Sequence, residues 1–324
     1  MRLMVSLKGR DMLSLKDYTA EELRLMLKVS EDLKARFKAG EMPDMMHKKT
    51  LGLIFQRPST RTHLQFETAM TQMGGHGIYL TPEQLQLTKG ESWQDTGRVL
   101  SRYVNGVAIR WYQDIVEELA KWCSVPVINA STEYSHPTQG IAELMTMKEK
   151  KGKLEGLNVT YAWGFTTGVN KPPGYLNDLI WAGSKLGMSI TMACPEGYEL
   201  KQAIEETRQD AANSGAKIRV VHDLKEGVSG VDVIVSKSWV PTGGTYTKSG
   251  EFAHNKNPEK FKQWILDSDV VACAKKDVIV MHAMPASKGE ELTEEVFEGS
   301  NSVVWDEAEN GLHAKKGILA LLLG

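Results

Sequence analysis

The chain has 324 residues, 41% of them hydrophobic, with a formal net charge of −2. That length suits two domains better than one core. The near-neutral balance offers no global field for nucleic acid or an acidic membrane, so an anionic ligand must be met by a local site. From the N-terminus, Thr19-Ala20-Glu21-Glu22 reads as a capping box opening a helix with Leu23, Met26, Leu27, Leu33 and Phe37 at helical spacing, closed by Gly40 and Pro43. Residues 51–55 form a short apolar run typical of a buried strand. After Pro58, Ser59 takes the N-cap position of a helix carrying Leu64, Phe66, Met70 and Met73, ended by Gly74-Gly75. A strand at 78–80 leads to a polar, Gln-rich loop over 81–90. Then come a helix capped by Ser92, a strand at 106–110, a helix near 115–122, a strand at 125–129 and a helix from 137 to 150. The charged, Gly-punctuated stretch 148–153 reads as a domain boundary.

The C-terminal half restarts with a strand at 157–163 and a Gly- and Pro-rich stretch at 164–174. Strands are expected at 189–193, 217–221, 231–236, 278–282 and 302–305, with helices at 200–213 and 307–323. Strand–helix alternation predicts an α/β fold of two doubly wound parallel-sheet domains. The spacing Gly164-x-x-x-Gly168 lacks the G-x-G-x-x-G fingerprint, which sets a dinucleotide-binding oxidoreductase aside. Cys123, Cys194 and Cys273 are far apart, with no Cys-x-x-Cys, so neither a disulfide framework nor a zinc site is expected. With no full apolar h-region near Met1 and no run of membrane-spanning length, the reading is a cytoplasmic protein without nucleic-acid or membrane partners.

The stretch Ser59-Thr60-Arg61-Thr62 stands where a strand turns into a helix. First-turn amides there lack intrahelical partners and the helix dipole adds positive potential, so hydroxyls and a guanidinium complete a phosphate site. Taken alone, the tetrapeptide equally fits an N-cap followed by a surface arginine. Arg110 ends a strand, where a salt bridge is the plainer reading, and His136-Pro137-Thr138-Gln139 opens a helix, where a carbonyl could satisfy the histidine. Five other histidines, His47, His76, His222, His254 and His313, read as surface residues.

Together these segments resemble the aspartate/ornithine carbamoyltransferases. The resemblance is carried, in order along nearly the whole chain, by Ser59-Thr60-Arg61-Thr62, Gln86, Glu91-Ser92-Trp93-Gln94-Asp95-Thr96, Arg110, His136-Pro137-Thr138-Gln139, His282-Ala283-Met284-Pro285 and Asp306-Glu307-Ala308-Glu309-Asn310. The N-terminal half is most similar to the ornithine and putrescine branches. The C-terminal half resembles the N-acylornithine or uncharacterised knotted branch, which implies a trefoil knot near the Pro172 loop. The resemblance also implies two domains joined by two helices: 1–150 with the C-terminal helix 307–324 for carbamoyl phosphate, and 151–306 for the acceptor. By resemblance, Ser59, Thr60, Arg61, Thr62, Gln86, Arg110, His136 and Gln139 would bind carbamoyl phosphate. Arg61, Thr62, His136 and Gln139 would be catalytic, with His136 and Thr62 donating to the carbonyl oxygen and Gln139 accepting from the carbamoyl NH₂. Trp163, Lys237, Trp239, Ala283 and Met284 would meet a small amine acceptor. No metal or cofactor is implied. A homo-oligomer, expected as a trimer, would share the Gln86 loop between subunits.

Three departures bear on function. Gly311 stands where the ornithine branch has an arginine that contacts carbamoyl phosphate. Ala283 replaces the cysteine of His-Cys-Leu-Pro. Lys237-Ser238-Trp239-Val240-Pro241-Thr242-Gly243 replaces Asp-Val-Trp-x-Ser-Met-Gly, exchanging an acceptor-facing aspartate for a lysine. The expectation is a carbamoyltransferase whose acceptor is neither free ornithine nor simply putrescine. The alternative is a non-catalytic paralogue that keeps the phosphate pocket as a sensor or assembly partner.

Overall fold

The computed structural model describes residues 6–167, 172–240 and 261–324. It divides into two compact units, Met1–Met145 with Ala308–Gly324, and Thr146–Glu307.

The first unit opens with α1 (Ala20–Lys38), where Thr19 and Glu22 form the expected capping box. It continues through β1 (Thr50–Phe55), α2 (Thr60–Gln72), β2 (His76–Leu80), α3 (Trp93–Tyr103), β3 (Gly106–Arg110), α4 (Gln113–Trp122), β4 (Val127–Asn129) and α5 (Pro137–Lys151). Among the described residues the strands form a parallel sheet in the order β2-β1-β3-β4. Their apolar residues are covered on both faces, as parallel sheets require: Leu53, Ile54, Val107, Ile109 and Val127 are wholly buried. Each such side chain contributes about 1.5–3 kcal/mol relative to exposure. The loop 81–90 holds two 3-10 turns, Pro82–Gln84 and Gln86–Lys89, anchored by Leu85 in a cluster with Ile54, Leu100 and Val104.

The second unit contains β5 (Asn158–Trp163), α6 (Tyr175–Lys185), β6 (Ser189–Ala193), α7 (Lys201–Glu206), α8 (Arg208–Ser214), β7 (Lys217–Val221), α9 (Leu224–Val228), β8 (Val233–Lys237), α10 (Ser268–Val271), β9 (Ile279–Met281) and α11 (Glu294–Glu298), followed by α12 (Val304–Leu323). Its described strands are parallel in the order β7-β6-β5-β8-β9. The divisions between the units fall within α5 and α12. No described helix is long and apolar enough to cross a membrane.

Several expectations are corrected. The strand expected at 302–305 is a single bridge, Val280 to Ser302, and the chain turns helical at Val304. The β-branched Val303-Val304 pair suggests a strand, but Asp306 and Glu307 favour a helix N-terminus, and Glu307 N–H already donates to Val303 O at 2.9 Å. The helix expected at 200–213 breaks at Thr207, whose hydroxyl donates to Ile204 O at 2.8 Å in competition with the helical ladder. Helices α6 and α9 are additions that the sequence pattern does not announce. His313 is fully buried rather than on the surface, because α12 turns it toward Phe37 of α1, 5.5 Å between ring centres. Lys171, beside which the knot is expected, and residues 241–243 of the acceptor segment lie outside the described residues, as does His254.

Candidate active site

In the first unit the strand register decides which side chains meet. Phe55, at the end of β1, pairs with Arg110 at the end of β3, and Ile109 pairs with Asn129 at the end of β4. Gln56 N–H closes the first pair by donating to Arg110 O at 3.0 Å. Three carboxyl strand ends therefore deliver the Ser59 turn, Arg110 and the segment leading to His136 to one edge of the sheet. The gap between β1 and β3 is where the strand order reverses, the usual ligand edge of an open α/β sheet.

Ser59 occupies the N-cap position of α2 with extended backbone (φ −151°, ψ 104°), but its side chain makes no cap hydrogen bond, and the first turn holds no acid. The amides of Thr60, Arg61 and Thr62 are thus presented without a competing carboxylate. Thr60 and Arg61 are exposed, Ser59 is half-buried and Thr62 is buried. Burial, with Arg57 and Arg61 nearby, pulls Arg110 down to about 10, so it remains a cation at neutral pH. Two guanidiniums within electrostatic reach of a third, Arg110, fit a dianion, which Arg binds through paired charge-assisted hydrogen bonds. Arg57 is an addition to the residues expected from sequence. Its only signal there is the doubled charge of Arg57-Pro58-Ser59-Thr60-Arg61. Its Nη2 donates to Tyr112 Oη at 3.3 Å.

His136 is 9% exposed and caps the start of α5: its carbonyl accepts from Gln139 N–H at 3.0 Å and Gly140 N–H at 3.1 Å. Its Nδ1 lies 3.4 Å from Thr138 Oγ1. Gln139 Nε2 donates to Glu143 Oε1 at 3.0 Å, which ties its carboxamide to the next turn of α5. Gln86 is exposed at the start of its 3-10 turn.

In the second unit, Trp163 at the end of β5 pairs with Lys237 at the end of β8, again at the reversal of strand order. Trp163 and Trp239 were expected to face an acceptor, but both are buried and their indole N–H groups are taken by backbone. Trp163 Nε1 donates to Trp239 O and Trp239 Nε1 to Tyr198 O, each at 2.8 Å. With Phe261 and Trp264 edge-on to Trp163, they form a supporting wall. Lys237 is 7% exposed, its Nζ over the Tyr175 ring. Ala283 and Met284 are half-buried, followed by a cis peptide to Pro285.

Glu291, which no sequence motif singles out, organises these loops. Its carboxylate accepts from Ser238 N–H at 2.8 Å and Ser287 N–H at 2.7 Å and lies 3.3 Å from His282 Nε2. Its backbone packs on Gly164, where an added Cβ would come within 2.9 Å. One buried residue thus ties together the segments that follow β5, β8 and β9, its carboxylate those after β8 and β9 and its backbone and side-chain stem the one after β5. Among the described residues no group of three His, Cys, Asp or Glu could hold a metal ion.

A helix N-terminus without a first-turn acid, with Arg57 and Arg61 near Arg110 at the edge of one parallel sheet and joined in sequence to a second α/β unit, has the chemistry of an α/β protein suited to an anionic ligand. The family model described as aspartate/ornithine carbamoyltransferase, carbamoyl-P binding domain, matches residues 10–149, and its Asp/Orn binding domain matches residues 155–322. The chain belongs to the aspartate/ornithine carbamoyltransferase family. It is 44% identical over 324 residues to the ornithine carbamoyltransferase of Pyrococcus horikoshii, covering 99% of this chain and 98% of that protein. The solved ornithine carbamoyltransferase of Pyrococcus furiosus is similar with a TM-score of 0.89 at 42% identity, covering 99% of both chains. An acetylornithine transcarbamylase complexed with acetylcitrulline is similar with a TM-score of 0.86 at 26% identity, over 97% of this chain and 99% of that one. The expected exclusion of free ornithine is not supported, since relatives at 42–44% identity carry the ornithine name.

Proposed function

We propose that the chain transfers the carbamoyl group of carbamoyl phosphate to the side-chain amine of an ornithine-class amino acid. The observation that carries this reading is the register-driven gathering of the α2 N-terminus, Arg110 and the His136 helix start at one sheet edge. The phosphate would rest on the amides of Thr60, Arg61 and Thr62, with the Ser59 and Thr62 hydroxyls and the guanidiniums of Arg57, Arg61 and Arg110 around it. The neutral amine attacks the carbonyl carbon, the C–N bond forms, and charge builds on the carbonyl oxygen. His136 and Thr62 would donate to that oxygen and stabilise the tetrahedral oxyanion. Gln139, oriented by Glu143, would accept from the carbamoyl NH₂ and fix its plane. Collapse breaks the C–O bond to phosphate, which leaves with the pair of electrons, and the amine proton passes to the departing phosphate or to water.

Ornithine itself is the first acceptor to test, supported by the names of relatives that match over the whole chain. Lys237, taken as a sequence position, argues against it. A lysine laid on an aromatic face displays less charge to an acceptor than that position suggests. The assembled form is read as a homo-oligomer, a trimer in which the exposed Gln86 loop reaches a neighbouring subunit. The test is release of phosphate with one-to-one formation of a ureido product from ornithine and N-acylornithine. A fall of about tenfold or more in both products in Arg61→Ala is the expected outcome, and unchanged turnover in that variant would remove the cradle from the mechanism.

A further inference from the structure

Gly311 lies inside α12, where glycine weakens a helix relative to alanine. The space beside it is occupied. A Cβ added there would come within 2.8 Å of Gln65 Cδ and 3.0 Å of Gln65 Oε1. Gln65 belongs to α2, and its carboxamide is held at both ends. Its Nε2 donates to Ala308 O at 3.1 Å, and its Oε1 accepts from Lys315 Nζ at 2.7 Å. Lys315 is wholly buried. It also donates to Gly311 O at 3.3 Å, and its Nζ lies 5.2 Å from the centre of the Phe66 ring. Its described contacts include no carboxylate, and burial pulls its amine down to about 7. A buried lysine without an acid is expensive to keep, so its hydrogen bonds to Gln65 and Gly311 are what hold it there.

On α2, Gln65 stands one helical turn below Arg61 and Thr62. Phe66, Ala69 and Met70 bury the sheet-facing side of the helix, but apolar contact is non-directional and does not fix its slide or rotation. The paired hydrogen bonds of Gln65 do.

We propose that Gln65 and Lys315 are a positioning pair for the phosphate cradle. Lys315 sets the Gln65 carboxamide into the space beside Gly311, and Gln65 sets the turn of α2 that carries Thr60, Arg61 and Thr62. The inference rests on the reading of that turn as the phosphate site, and deepens it. Gly311 is then required for clearance, and its helix cost is accepted because a side chain would expel Gln65.

The test is titration calorimetry of the full chain with inorganic phosphate, alongside thermal unfolding. The proteins are the unaltered chain, Lys315→Met, Gln65→Ser, Gly311→Ala and the double variant Gln65→Ser/Gly311→Ala. Each single variant should weaken phosphate binding about tenfold, since small displacements of binding groups cost that much or more. The double variant should bind no more weakly than Gln65→Ser, because alanine at 311 then has nothing left to displace. Folded variants that bind phosphate like the unaltered chain, even with lowered unfolding temperatures, would overturn the proposal. So would an additive double variant. Gln65→Asn, too short to reach both partners, carries the same expectation if Gln65→Ser fails to fold. An unaltered chain that does not bind phosphate would instead fell the cradle reading, and the pair with it.

Discussion

Lys237 Nζ stands 4.0 Å from the centre of the Tyr175 ring, joining the end of β8 to the start of α6. An ammonium held on an aromatic face is stabilised by the ring quadrupole, by about 2 kcal/mol when desolvated. The lysine is therefore bound to its own scaffold, and its charge is a weak guide to the acceptor. Lys237→Met and Tyr175→Leu should each lower stability by about 1–2 kcal/mol in urea titration while leaving acceptor preference unaltered. A changed preference in either variant would show that Lys237 reaches the acceptor after all.

The three guanidiniums near the α2 N-terminus act on one ligand in this account. Hydrogen bonds to a charged group contribute about 1.5–3 kcal/mol, so Arg61→Ala and Arg110→Ala should each lower kcat/KM for carbamoyl phosphate roughly 10- to 150-fold. Arg57→Ala should behave alike, and kcat/KM within a factor of two of the unaltered chain would confine its role to Tyr112. Initial rates at varied carbamoyl phosphate separate these outcomes.

In the proposed mechanism His136 donates to a charge that exists only in the transition state. His136→Asn should therefore lower kcat by about 10²–10³ with little change in phosphate binding. Equal losses in kcat and in phosphate affinity would reassign His136 to ground-state binding.

Glu291→Ala would take the acceptor from the buried amide of Ser238, at a cost of about 1–3 kcal/mol, and from the partly buried amide of Ser287, at a smaller one. The KM for the amine should rise while calorimetric phosphate binding by the first unit stays as it was. Glu291→Gln keeps one acceptor oxygen and should fall between the two.

His313 supplies a pH test of α12. Burial, then the nearby Lys316, hold its pKa down to about 4, although Glu309 pulls the other way. The unfolded chain takes up a proton near the ordinary histidine value of about 6.5 that the folded chain refuses. Stability should therefore fall as pH drops from about 6.5 to 4, and His313→Phe should flatten that part of the profile. Chemical denaturation at a series of pH values reads it, and an unchanged slope in the variant would place the titration elsewhere.

Much of the first unit is legible in the sequence because local signals agree with the fold. The Thr19 box, the apolar 51–55 run and the Ser59 N-cap each mark an element boundary that the structure keeps. The helix start at Ser59-Thr60 is legible for the same reason, being local. Arg57 and Glu291 are not, because their roles come from strand register and loop packing between distant segments. The burial of Trp163 and Trp239, which resemblance assigns to the acceptor, is not legible either, because the backbone partners of their indole N–H groups come from distant segments. Thr207 hides a helix break in an otherwise periodic segment.

The most direct test is to incubate the purified chain with carbamoyl phosphate and ornithine, with N-acylornithine, putrescine, lysine and aspartate as parallel acceptors. Phosphate release above spontaneous decay and ureido product are then measured together. Equimolar phosphate and ureido product are expected with ornithine, both lowered about tenfold or more by Arg61→Ala. Carbamoyl phosphate that binds but yields no ureido product with any of these amines would contradict that expectation, leaving a phosphate-binding paralogue without turnover.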